Sequence, residues 1–136
     1  MGIALATGLT IRFMKDDVKM SFYALHESVG LLILFLAIAR LAWRGFSTPP
    51  LLPDHIPRRL RVTASAVHHS LYAALILQPI LGFFMTNAYG FPMRGPTAFL
   101  GFIDFPKFME ANETLAFVLH WAHSLIGWAL PFLLIA

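Results

Sequence analysis

The sequence lacks cysteine and is poor in charge. None of its 136 residues is Cys, which excludes disulfides, thiolate metal sites and haem attached through a C-x-x-C-H motif. Charged residues make up 12% of the chain and hydrophobic residues 58%, whereas a soluble domain carries about 25% charged residues. The composition therefore predicts an integral membrane protein with one domain over residues 1–136.

A basic surface of the kind that binds nucleic acid is also missing from the pattern. The net charge is only +3, and the basic residues lie in short connections between apolar runs rather than along one face. We therefore expect membrane lipid, and no nucleic acid, as the surroundings of this chain.

Three apolar segments are long enough to cross a bilayer, which takes about 20 residues. They are residues 20–43, 64–85 and 115–136. Residues 1–11 are apolar but about half that length, so we expect them to be the last turns of a helix whose beginning is absent from this sequence. The predicted fold is all-α, a transmembrane four-helix bundle with three full spans and a remnant of the first helix.

The connections between these spans differ in composition. Residues 47–61 contain four prolines, which bar a continuous helix and predict a loop. Residues 87–113 are rich in Gly, Pro and Phe, and we expect them to form a cap at the membrane surface.

Charge orients the spans. Five arginines and one aspartate lie between Arg40 and Arg61, whereas residues 87–114 carry two basic and three acidic residues. The positive-inside rule then places the loop at residues 47–61 in the cytoplasm. The spans at 20–43 and 115–136 therefore enter from the outer side, and the span at 64–85 enters from the cytoplasm.

Two histidines lie at matching depths in the two spans that enter from outside. His26 and His123 both fall in the outer half of the membrane, and each is followed four residues later by a glycine, Gly30 or Gly127. Residues at i and i+4 share a helix face, and glycine there gives clearance for a flat macrocycle ligated by the imidazole. The pattern favours haem held by both histidines, an axial pair that suits electron transfer.

The same residues allow a simpler interpretation. A histidine in a membrane helix can hydrogen-bond across a helix interface, and glycine can serve close packing alone. A bare ion such as zinc matches less well, because it takes three or four protein ligands and this region offers two.

The other histidines and the arginines have less specific surroundings. His68 and His69 lie near the cytoplasmic start of the second span and belong to the inner half. For His69 and His120 we favour structural roles. Arg40 and Arg44 close the first span, where topology alone and contact with a haem propionate or an anionic head group explain them equally well.

Four stretches together resemble the bacterial cytochrome b561 family: LHESVGLLILFLAIARLAWR followed by STPP, AVHHSLYAALILQPILGFFM, and HSLIGWALPFLLIA. The resemblance implies a four-helix inner-membrane protein that holds two b haems, one near each face. Such a protein passes electrons between a quinone, ubiquinone in particular, and a partner on the outer side. By this resemblance His26 and His123 ligate the outer haem. His68 lies near the inner haem or quinone region, where a purely structural hydrogen bond is an equal alternative.

The sequence departs from the family pattern in the inner haem. The family ligates that haem through a histidine early in the first helix and another late in the fourth, and neither is present. We therefore expect the sequence to be incomplete at both termini and to support only the outer haem by itself. Two functions follow as hypotheses. The first is an electron-transfer cytochrome, either a general quinone-linked carrier or a superoxide:ubiquinone oxidoreductase. The second is a haem-free or regulatory anchor subunit whose histidines serve helix packing. The sequence specifies neither the outer electron donor nor the oligomeric state.

Overall fold

Helices make up most of the chain in the computed structural model, which describes residues 1–47, 53, 55–90, 97–100 and 103–135. The elements, in chain order, are α1 (Gly2–Thr10), a 3₁₀ turn (Ile11–Phe13), α2 (Asp16–Phe46), α3 (Arg58–Ala88), β1 (Thr97–Phe99), β2 (Ile103–Phe105) and α4 (Glu113–Ile135). The predicted all-α fold is confirmed, with one short β-hairpin added to its four helices.

Three of the helices are long and apolar enough to cross a membrane. Their spanning parts are Val18–Phe46, Arg58–Ala88 and Glu113–Ile135, while Gly2–Phe13 forms a shorter apolar helix. This agrees with the three predicted spans, which a shorter apolar helix precedes.

The helices begin earlier and end later than their apolar cores. α3 begins at Arg58, directly after Pro57, whose fixed φ and missing amide hydrogen suit a helix start. Arg58–Arg61 therefore belongs to α3 rather than to the predicted loop, because a helix can continue past the hydrocarbon with a charged turn. Residues 48–52 and 54 of that loop lie outside the described part.

The exposed and buried side chains are distributed as expected for a helix bundle in lipid. Large apolar side chains cover the outside, such as Phe132 and Leu125, which are 73% and 71% exposed. Small residues occupy the helix contacts, and Ala116 is completely buried. Small side chains let the backbones approach closely, which is the main source of stability when lipid is as apolar as the core. α3 packs along α4 and α2, and α1 packs on α2.

The hairpin lies beside α2 rather than above the helix ends. β1 and β2 pair antiparallel, with Phe99 opposite Ile103. Leu100 in its turn donates its backbone N–H to Ser28 Oγ at 3.1 Å, and the rings of Phe99 and Phe35 lie 5.9 Å apart. The predicted surface cap is therefore wrong for this part, because a polar hydroxyl and an exposed Phe on α2 give the hairpin partners along the helix.

The rest of that connection does close the end of α3. Asn87 is buried, and its side-chain oxygen accepts a hydrogen bond from Phe108 N at 3.2 Å. Asn112 N donates to Ala88 O at 2.9 Å just before α4 begins. These bonds fix the distance between α3 and α4, the two helices on one side of the candidate site.

Candidate metal centre

The packing of α2 and α4 around α3 brings His26 and His123 together. Their ring centroids lie 6.1 Å apart and the ring planes make an angle of 77°. An iron ligated from both sides needs the two ring nitrogens about 4 Å apart, since metal–imidazole bonds measure about 2.0–2.1 Å. Rings at this separation can meet that distance with small side-chain adjustments.

Backbone carbonyls fix the tautomer of both imidazoles. His26 Nδ1 lies 3.0 Å from Ala4 O, and His123 Nδ1 lies 3.0 Å from Gln78 O. A carbonyl oxygen only accepts, so each Nδ1 carries the hydrogen and donates it. Each Nε2 is then left with its lone pair, which is the usual state of a metal-ligating histidine.

A cavity of about 660 Å³ surrounds the pair and is lined by all four helices. This volume lies within the range of roughly 300–1,000 Å³ typical of cofactor and ligand sites. Within the described residues, no group of three or more His, Cys, Asp or Glu side chains is placed to hold a metal ion. The donor set is therefore two imidazoles, which suits a macrocycle that supplies the remaining ligands itself.

The two glycines predicted to give clearance have different surroundings. A Cβ at Gly30 would meet no atom within 4 Å, although Gly30 lines the cavity. A Cβ at Gly127 would lie 3.1 Å from Gln78 Nε2. Gly30 thus borders open cavity, whereas Gly127 is explained at least as well by close packing of α4 on α3.

Three predicted site residues lie elsewhere. Arg40 Nε donates to the hydroxyl of Tyr72 at 3.0 Å. His68 is exposed, and its Nδ1 donates to Ala64 O at 2.7 Å within its own helix. Arg44 is also exposed, and none of the three lines the cavity. The idea that Arg40 or Arg44 meets a propionate therefore finds no support at this site.

The cavity has polar lining that sequence reasoning missed. Arg12 lines it from the 3₁₀ turn between α1 and α2, and Lys19 lines it from the start of α2. Thr86 donates its hydroxyl to Glu27 Oε1 at 3.1 Å. The polar residues 12–19 were the available signal for the two cations, since they lie between the first apolar segment and the span that carries His26.

One buried acceptor in the cavity wall has no partner. Gln78 Oε1 is buried without a hydrogen bond to any described residue. Buried polar atoms are nearly always paired, so this acceptor needs a donor such as water in the cavity, and haem itself supplies none. The features that fit a haem are the imidazole pair, the cavity volume and the open side of Gly30.

Comparison with known proteins agrees with this geometry. Residues 1–136 match the family described as Prokaryotic cytochrome b561. The chain belongs to this family. It is also 33% identical over 101 residues to cytochrome b561 homolog 2 of Escherichia coli (strain K12), an alignment that covers 71% of this chain and 51% of that protein. The chain thus spans about half the length of the curated relative that it matches.

Family membership confirms the resemblance found in the sequence motifs. Combined with the three apolar helices, it makes the chain part of a multi-pass bacterial membrane protein. The prokaryotic cytochrome b561 family consists of membrane b-type cytochromes of electron transfer.

Proposed function

We propose that this chain is the haem-binding part of a b-type cytochrome that transfers electrons, with haem b held between His26 and His123. The observation that carries the proposal is the approach of the two imidazoles, 6.1 Å between centroids, each with Nδ1 bonded to a carbonyl. Bound haem would supply one-electron transfer, and two neutral imidazoles are a ligand pair that suits this chemistry.

Each part of the site has a separate task in this proposal. Haem, when bound, supplies the one-electron carrier. His26 and His123 hold it from opposite sides, while α1 and α3 orient the two rings through Ala4 O and Gln78 O. The apolar outer surface of the helices keeps bulk water away from the site, and Arg12 and Lys19 supply positive charge for the acidic edge of the cofactor.

We propose a wider electron path that family membership and the charge pattern support. We place the loop at residues 47–61 in the cytoplasm and the imidazole pair in the outer half of the inner membrane. Electrons then pass between an outer-side donor and the quinone pool, ubiquinone in particular, as in respiratory electron transport. For the whole protein we propose a second haem near the inner face, with His68 near that haem or the quinone region. Superoxide is one donor compatible with an outer haem.

Reduced-minus-oxidised absorbance of the purified protein tests the proposal. After expression with haem supplied, we expect the narrow α and β bands of low-spin b-type haem, because both axial positions are filled by imidazole. A haem:protein ratio from the pyridine haemochrome assay accompanies the spectrum. A folded, helical protein that takes up no haem would instead identify the alternative function, an anchor subunit whose histidines pack helices.

The orientation can be tested by cysteine labelling, because the chain has no native Cys. His55→Cys and Glu110→Cys place single thiols at exposed positions in the two connections. In right-side-out membranes, a membrane-impermeant maleimide should label Glu110→Cys at once and His55→Cys only after the membrane is opened. The unmodified chain is the blank, and the reverse order of labelling would invert the proposed topology.

A further inference from the structure

The same local arrangement holds both imidazoles. On α1, Ala4 O accepts from His26 Nδ1, and Gly8 follows Ala4 by four residues. On α3, Gln78 O accepts from His123 Nδ1, and Gly82 follows Gln78 by four residues. Each histidine ring therefore contacts one turn of a neighbouring helix. The contacts in that turn are a carbonyl at position i and a glycine at position i+4.

Both glycines touch the ring that the carbonyl binds. A Cβ at Gly8 would lie 2.8 Å from His26 Cε1, and a Cβ at Gly82 would lie 3.1 Å from His123 Cε1. The first distance is too short for carbon atoms and the second is tighter than ordinary contact. In each turn the imidazole edge thus rests directly on the helix backbone.

Glycine at i+4 also leaves the carbonyl at i free of a side chain from that position, although on α1 Thr7 Oγ1 at i+3 lies 3.2 Å from Ala4 O. A side chain at i+4 lies over that carbonyl, as Ser and Thr show when they bond back to it. This chain has examples: Ser47 Oγ donates to Trp43 O at 2.8 Å, and Thr10 Oγ1 donates to Ala6 O at 2.7 Å. With glycine at i+4, a ring from another helix can reach the carbonyl instead.

Two contacts common to both rings fix their rotation, and on α1 Thr7 Oγ1 adds a third, 3.1 Å from His26 Nδ1. The Nδ1–carbonyl bond and the Cε1–glycine contact lie on neighbouring ring atoms, so together they set the plane of the imidazole. α1 sets the plane of His26 and α3 sets the plane of His123. The result is a pair of planes 77° apart.

We infer that the turns Ala4–Gly8 and Gln78–Gly82 hold the axial imidazoles of the bound haem nearly perpendicular, and that Gly8 and Gly82 are positioning residues. The inference rests on the proposed function. Near-perpendicular imidazole planes leave the iron orbitals that share the unpaired electron almost equal in energy. The ferric protein should then give a highly anisotropic low-spin EPR signal with one very large g value, whereas parallel planes give a rhombic signal with three resolved g values.

The test compares Gly8→Ala and Gly82→Ala with the matched controls Gly2→Ala and Gly45→Ala. A Cβ at either control position meets no atom within 4 Å. EPR spectra of the ferric proteins are recorded at saturating haem, so that weakened binding does not hide the signal. We expect the large g value of the haem to fall in Gly8→Ala and Gly82→Ala, because the added methyl turns the ring away from its carbonyl, and to stay unchanged in the controls. Haem affinity should fall about 10- to 100-fold, as for other partners of metal-ligating histidines.

The outcomes separate the inference from the proposed function. If the unmodified protein binds no haem, the proposed function fails. If it binds haem and both glycine variants keep its EPR signal, the positioning role is wrong. Circular dichroism checks helical content, and if Gly8→Ala loses helix, Gly82→Ala on a different helix still decides the question.

Discussion

Replacing His26 or His123 by alanine is expected to remove about one haem per chain. Each variant leaves a single imidazole where the structure has two with centroids 6.1 Å apart. The lost ring cannot be replaced from His68 or His69, because both are exposed and bond to carbonyls of their own helix. Haem:protein ratio and the loss of the low-spin bands measure the effect.

His120 is the one nearby histidine that needs a control. It lines the cavity one turn before His123, with its ring 6.5 Å from that of Tyr89. If His120 substitutes for the missing ligand, His123→Ala keeps haem while the double variant with His120→Ala loses it. His55→Ala, at an exposed loop position, should keep full haem content. Full haem in both His26→Ala and His123→Ala, with the double variant also unaffected, would show that the pair holds no iron.

The membrane spans and the meeting of the two histidines could be predicted from the sequence alone. Apolar length decides where a helix crosses lipid, and the depth of a residue follows from its distance to the start of its span. The distances of His26 and His123 from the starts of their spans predict that both lie in the same half of the membrane. Helix ends were less predictable, as Arg58 shows, because charged residues beyond the lipid can continue a helix.

The partners of the two rings could not be predicted in the same way. Ala4 and Gln78 bind the imidazoles through backbone oxygens. Because every residue has such an oxygen, the residue types do not reveal which ones bind. Gly8 gives a weak signal, since glycine in a helix interior is costly and implies a reason. That reason becomes visible only when α1 is seen packed against His26.

The contacts of the hairpin were hidden for a related reason. Leu100 attaches to Ser28 through its backbone N–H, and its φ of 55° is unusual for a residue with a side chain. Neither the backbone hydrogen bond nor the positive φ can be predicted from the residue type. The many Phe residues of this connection favour a surface cap, whereas the Phe99 ring lies beside that of Phe35 on α2.

Gly30→Leu should weaken haem binding while leaving the haem-free protein as stable as before, or more so. A side chain at Gly30 has no atom within 4 Å of its Cβ and would extend into the cavity. In the haem-free protein it fills open space and replaces a poor helix former with a good one, worth up to about 1 kcal/mol. With haem present it competes for the same space, and such overpacking costs about 1–3 kcal/mol.

Binding and stability should therefore change in opposite directions. The overpacking cost corresponds to a loss of roughly 5- to 150-fold in haem affinity, measured by competition with a haem-binding apoprotein. Gly45→Leu is the matched control, because it lies in the same helix, also faces open space and does not line the cavity. It should leave haem affinity unchanged. If Gly30→Leu binds haem as tightly as the unmodified protein, the macrocycle does not lie against α2 beside His26. The macrocycle would then lie closer to α4.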